Sequence, residues 1–257
     1  MTRSHESLVA AQFGAHAQAY VESKDHAQGA DLERLAALVA ARPPGRVLDL
    51  GCGGGHVSFT LAPHAREIVA YDLSPDMLAA VAGVAADRGL RNIVTECGAA
   101  EALPFPDESF DVVASRYSAH HWRDLAAGLA GIRRVLKPDG MAIIMDVVSP
   151  GEALRDTFLQ SVELLRDPTH VRDYAPDEWI RALRAAGLHP MAPVPARLRL
   201  HFATWIARSG TPDVQVQAIL ALQGHMPKPV TDHFAFEPDG TMTVDTMMIE
   251  ATREAVA

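Results

Sequence analysis

Two cysteines in 257 residues, Cys52 and Cys97, leave no disulfide framework, and their spacing offers no paired thiols for zinc. Both read as reduced, buried thiols. Basic residues are short as well: 23 Lys and Arg stand against 32 Asp and Glu, a formal net charge of -9. A nucleic-acid backbone is therefore a poor main partner, because phosphate binding needs a basic face. No apolar run is long enough to cross a bilayer. The start, Met1-Thr2-Arg3-Ser4-His5-Glu6-Ser7, carries no apolar core behind its charge and does not read as a secretory signal, so a cytoplasmic protein is expected. Internal repeats and low-complexity tracts are also missing.

What the chain does have is 48% hydrophobic residues, enough at this length for a full core. One domain is expected over 1–257, with N-terminal helices at 1–42, a ligand-binding core at 43–150, and cap helices with the last strands at 151–257. Within the core, apolar strand-like runs alternate with helical patterns. The strands are Val47–Leu50, Glu67–Asp72, Asn92–Cys97, Phe110–Ser115 and Met141–Val148. The helices start at His56, after Ser74-Pro75, and around Trp122. Lys137-Pro138-Asp139-Gly140 reads as a turn. This alternation predicts an α/β fold: a Rossmann-like, seven-stranded, mostly parallel sheet with helices on both faces. Beyond Pro150, helices are expected over 154–166, 176–186 and 205–233, and strands over 196–202 and 243–251. Residues 8–41 read as two helices. The polar link 20–29 between them is either an exposed linker or a flap with Tyr20 and His26 turned inward.

The first strand runs into Asp49-Leu50-Gly51-Cys52-Gly53-Gly54-Gly55-His56. Glycines there let backbone approach a ligand where a Cβ would clash. The dinucleotide fingerprint Gly-x-Gly-x-x-Gly would need a sixth glycine, but the chain has His56. An acidic glycine corner suits a ligand carrying a cation better than a pyrophosphate. Asp72 ends the second strand about 20 residues on, where an acid meets a ribose diol in such folds. Alone it also reads as an exposed acid capping a turn.

Together these blocks resemble the class I S-adenosylmethionine-dependent methyltransferases, in the group related to the ubiquinone/menaquinone C-methyltransferases. The resemblance rests on Val47–Gly55, Tyr71–Leu78, Ala100–Asp107, Ser109–Val113 and Arg134–Gly140, in the family's order. Over nearly its full length the chain is also similar to uncharacterised bacterial members with the segments Arg116–His121 and Arg166–Arg172. The resemblance implies S-adenosylmethionine as cofactor. Asp49 with Gly51, Cys52 and Gly53 would hold its methionine end, and Asp72 its ribose. Leu73 and Met77 would line the adenine, the Ala100 N–H would meet an adenine ring nitrogen, and Ser115 or Arg116 would sit near the amino group. Many relatives carry aspartate where this chain has Ala99; either that hydrogen bond is absent or Glu101 substitutes.

The implied acceptor is a small molecule, methylated on carbon or oxygen. Arg116, Tyr117, His120 and His121 follow the fourth strand and are candidate catalytic residues. His120 reads either as a general base, since an imidazole titrates near ~6.5, or as a helix-start residue. Arg166, His170 and Arg172 read as a basic rim for an anionic acceptor or as salt links on a cap helix. No metal is expected, and a homodimer stays open. Two other classes remain: a nicotinamide-dependent oxidoreductase, and a cofactor-binding protein without catalysis.

Overall fold

The computed structural model describes residues 4–21 and 28–253. His26 of the expected flap lies outside the described residues. Among the described residues the chain starts with three helices rather than the expected two: α1 (His5–Gly14), α2 (Ala17–Val21) and α3 (Ala30–Ala41). Ser4 caps α1 by accepting the Ser7 N–H, three residues earlier than the apolar spacing suggested. Then come β1 (Arg46–Leu50), α4 (His56–Leu61), β2 (Glu67–Asp72), α5 (Pro75–Asp87), β3 (Ile93–Cys97) and β4 (Phe110–Arg116). They are followed by α6 (Leu125–Val135), β5 (Leu136–Val147), α7 (Ala153–Arg166), α8 (Pro176–Ala185), β6 (His189–Pro190) and β7 (Val194–Leu200). The chain closes with α9 (Phe202–Arg208), α10 (Asp213–Gly224), α11 (Lys228–Phe234) and β8 (Met242–Thr252).

The described strands form one eight-stranded sheet, in the order β3-β2-β1-β4-β5-β8-β6, with β7 also paired to β8. The strand beyond the expected seven is the two-residue β6. Strands β1 to β5 are parallel, whereas β8 runs antiparallel to β5. After β1 the chain winds outward through β2 and β3, then returns to place β4 on the other side of β1. The switch point therefore lies between β1 and β4, and the crevice at their carboxyl ends is the natural ligand site.

Strand alternation sends neighbouring residues to opposite faces. Leu48, Leu50, Val69 and Tyr71 pack with α6 and α8 through Leu129, Ile132, Trp179 and Leu183. Val47, Ile68, Val112 and Ala114 pack with α3 and α4 through Leu35, Val39, Val57 and Leu61. A third cluster joins Phe158 and Val162 of α7 to Trp205, Ile219, Phe234 and Val244, forming the helical cap. Among the described residues no helix is long and apolar enough to cross a membrane.

Several local expectations fail, among them the single helix over 205–233, which is three helices, α9 to α11. The residues 137–140 do not turn but stay in β5: from Phe110 to Val112 on β4, the partner strand advances from Leu136 to Met141, so the extra residues bulge within the pairing. The expected 196–202 strand ends at Leu200, and Phe202 begins α9. Cys97 is exposed, because β3 is an edge strand; only Cys52 is buried. Trp122 lies just ahead of α6, which starts later because the Asp124 carboxylate accepts the Ala127 N–H and caps it.

Leu129 is fully buried and remote from the crevice. Leu129→Ala should cost about 2–5 kcal/mol in urea unfolding while leaving ligand affinity unchanged.

Candidate active site

At the carboxyl ends of β1, β2 and β4 lies a cavity of about 1010 Å³. Its floor is the glycine corner. The N–H groups of Gly51 and Cys52 donate to the Tyr71 carbonyl at 2.8 and 3.0 Å, tying the corner to β2. The Asp72 carboxylate accepts the Gly53 N–H at 2.9 Å through one oxygen and the Ser74 N–H at 2.9 Å through the other. Gly51 and Gly53 have φ of +69° and +47°. A Cβ on Gly51 would lie 1.8 Å from Ser118 Oγ, whereas one on Gly53 would meet nothing within 4 Å. Gly53 thus presents bare backbone to open space, as a ligand cradle requires.

Asp49 points to the α4 face of the sheet. There Ser58 donates to it from its N–H at 2.9 Å and its hydroxyl at 2.6 Å. Burial outweighs these bonds and pushes the carboxyl up to about 7. Burial likewise raises Asp72. Two desolvated acids beside one cavity favour a cationic ligand. The Cys52 thiol, also pushed up by burial, stays protonated.

Of the residues expected to hold a cofactor, Asp49, Gly51, Cys52, Gly53, Asp72, Leu73, Ala100 and Glu101 line this cavity. Met77, Ala99 and Ser115 do not. Met77 is fully buried in the packing of α5. Ala99 turns its carbonyl to the Tyr71 hydroxyl at 3.1 Å. Ser115 is buried in the middle of the sheet. One Glu101 oxygen accepts the N–H groups of Arg123 and Asp124.

Arg116 and Tyr117 line the cavity too, but neither is arranged as a reactive group. Arg116 makes two bonds to Asp31, at 2.5 and 3.2 Å, joining β4 to α3. Burial pushes the Tyr117 phenol up, so it stays a hydroxyl, on a left-handed backbone of φ +50°. His120 does not line this cavity. Its Nδ1 lies 2.6 Å from Asp146 Oδ1. Burial opposes protonation, but the Asp146 charge prevails and raises the imidazole to about 9. With Nδ1 held by Asp146, Nε2 is the ring nitrogen left to meet a ligand. His121, buried beside it, is kept neutral by desolvation and by the His120 charge.

A second cavity, of about 750 Å³, adjoins the first between β4, β5 and the cap. Phe13, Tyr20, Tyr117 and His121 line both. The expected basic rim does not assemble. Arg166 faces this cavity, but His170 is buried against Gln160, with desolvation lowering it to about 3. Arg172 pairs with Glu178 and Asp156 on the outside.

Sequence reasoning missed the part played by α1. His5, Glu6, Val9 and Phe13 wall the first cavity. His5, Val9 and Phe13 recur every four residues, a one-face helical stripe that could have been read. Tyr20, at the start of the expected flap, also lies there.

A methyltransferase-domain family model matches residues 48–144. The chain is 45% identical over 205 residues to the uncharacterized protein YafE of Escherichia coli strain K12, covering 80% of this chain and 99% of that one. It is also 33% identical to the uncharacterized methyltransferase YcgJ of Bacillus subtilis, over 86% of this chain and 88% of that protein. The chain belongs to the S-adenosylmethionine-dependent methyltransferases. The crystal structure of YcgJ superposes with a TM-score of 0.83, over 88% of this chain and 99% of that one, at 29% identity. Similarity to the demethylmenaquinone methyltransferase of Chlorobaculum parvum, at 38% identity, spans only 41% of this chain and 42% of that protein.

The residues present fit the family's cofactor, whose cations suit the paired acids and whose bulk needs the bare backbone at Gly53. Two pH effects follow for the methyltransferase. At about pH 6 Asp49 is largely protonated, and binding the ammonium of S-adenosylhomocysteine should expel up to about one proton. Calorimetry in buffers of different ionisation enthalpy should show that release near pH 6, its loss above about pH 8, and its absence in Asp49→Asn. His120 has a raised folded pKa, so its stabilisation is full below about 6.5, its unfolded value, and is lost as pH rises through about 9. The urea stability gap between the wild type and His120→Asn should shrink over that window; a constant gap would mean the imidazole is neutral.

Proposed function

We propose that this methyltransferase moves a methyl group from S-adenosylmethionine in the first cavity to a small-molecule oxygen or carbon acceptor in the second. The observation that carries this reading is the shared wall of Phe13, Tyr20, Tyr117 and His121. Two adjoining cavities with a common wall suit a direct displacement between two bound molecules. On this reading the segments 1–42, 43–150 and 151–257 work as one unit, since each contributes lining.

The cofactor, when bound, supplies an electrophilic methyl on a sulfonium. Asp49 and the backbone of Gly51 to Gly53 would hold the methionine end. Asp72 retains lone pairs beyond those its two N–H partners use, enough to accept from ribose hydroxyls. Leu73, the Ala100 N–H and Glu101 would meet the adenine. The protein's task is then alignment and exclusion of water; holding reactants in line can supply roughly 7–11 kcal/mol. Arg116 and Tyr117 serve as the fixed frame of the passage between the cavities, not as proton carriers.

Asp72→Asn keeps the side chain's shape and removes its charge. It should weaken S-adenosylhomocysteine binding by about 10- to 100-fold in calorimetry, the equivalent of charge-assisted hydrogen bonds of about 1.5–3 kcal/mol. A change below about threefold would place the ribose elsewhere.

A further inference from the structure

The two cavities differ in sign. Among the described residues, the first is lined by the acids Glu6, Asp49, Asp72 and Glu101 and by one arginine, Arg116. Among the described residues, the second is lined by Arg166, Arg199, Arg208 and His120 and by one acid, Glu163. Arg199 is committed to Glu237 through two bonds of 2.6 Å at the outer edge. Arg166, Arg208 and His120 lie deeper, and all are largely buried. Around them Val147, Leu198, Leu200 and Trp205 give the cavity an apolar body.

The three inner cations are held differently. Arg166 donates from Nε to the Trp205 carbonyl at 3.1 Å, and its Nη1 lies 3.7 Å from Glu163. The Arg208 guanidinium sits 5.8 Å from the Tyr20 ring centre. His120 spends Nδ1 on Asp146, and among the described residues its Nε2 has no hydrogen-bond partner. Packed around His120 are Asp146 of β5, Glu163 of α7, its neighbour His121, and His170 and Asp173 of the following loop. Of these, His121 and His170 are kept neutral by burial, and burial with the Glu163 charge raises Asp173. Asp146 is thus the counter-charge in direct contact, and it makes His120 a donor at Nε2.

We propose that the second cavity binds the methyl acceptor as an organic oxyanion, a phenolate, enolate or carboxylate on a compact apolar body, with Nε2–H of His120, Arg166 and Arg208 as its anchor. This rests on the reading of the second cavity as the acceptor's. It also changes the job of His120: the histidine binds the acceptor already ionised, and no general base is needed. The step balances without a proton. A lone pair of the oxyanion forms the new bond to the methyl carbon, and the carbon–sulfur pair leaves on sulfur. A sulfonium and an anion thereby become a thioether and a neutral product. The product has lost the charge that the basic cavity held, which favours its departure.

4-Nitrophenol is a suitable probe, because only its phenolate absorbs in the visible, and nitrobenzene is its uncharged counterpart. With wild-type protein saturated with S-adenosylhomocysteine, the phenolate should bind and the probe's apparent pKa should fall by about one unit, a tenfold preference. His120→Asn should weaken phenolate binding about tenfold and leave nitrobenzene within about twofold. Unchanged affinity of that variant for S-adenosylhomocysteine verifies its fold, and Arg208→Gln should show the same selective loss. Equal binding of nitrobenzene and phenolate, an upward pKa shift, no phenolate binding, or displacement of phenolate by S-adenosylhomocysteine would overturn the proposal. Failure of S-adenosylhomocysteine itself to bind would instead defeat the assignment of the first cavity, and the phenolate titration without it would still decide the second.

Discussion

The Asp72 carboxylate is the brace on which the site depends. It holds Gly53 with one oxygen and Ser74 with the other, so one side chain fixes both the glycine corner and the entry to α5. The Tyr71 carbonyl adds two more bonds to the corner from the adjoining residue. The loops after β1 and β2 are thereby locked relative to each other before any ligand arrives. A buried acid is costly unless its oxygens are occupied, and here backbone N–H groups occupy them.

Strand alternation then sorts the chemistry. Because Leu48 and Leu50 face α6 and α8, Asp49 between them must face α4, where Ser58 receives it. On the far side of Tyr117 the same logic sets Asp146 within β5 behind His120. Acids thus collect under one ligand cavity and cations in the next. Fields of opposite sign in adjoining low-dielectric cavities favour ligands of opposite charge, which is the arrangement that a charge-cancelling transfer requires.

Much of this was legible in the sequence. The order of strands and helices from Arg46 to Val148 followed from apolar periodicity and turn residues, and the glycine corner from its own composition. The failures have physical causes. Pro138-Asp139-Gly140 has the residues of a turn, yet pairing on both sides of the bulge keeps it extended. Met77 matches its motif, but its position on α5 buries it in the core. An isolated imidazole titrates near neutrality, and only the fold brings Asp146, 26 positions later, to 2.6 Å from His120, a pairing that no local pattern predicts. The second cavity was not readable, since its walls come from α1, α2, the loop after β4, β5, α7, β7 and α9, which no local pattern connects.

Gly54 carries a consequence for traffic through the enzyme. A Cβ there would lie 2.5 Å from the Tyr20 carbonyl oxygen, so its absence lets the end of α2 rest directly on the corner, where His56 also holds that carbonyl at 2.9 Å. Gln12 ties α1 to Ser209 beside the cap at 2.7 Å. The N-terminal helices thus wall both cavities and are anchored at each, so any displacement of them would open the two together.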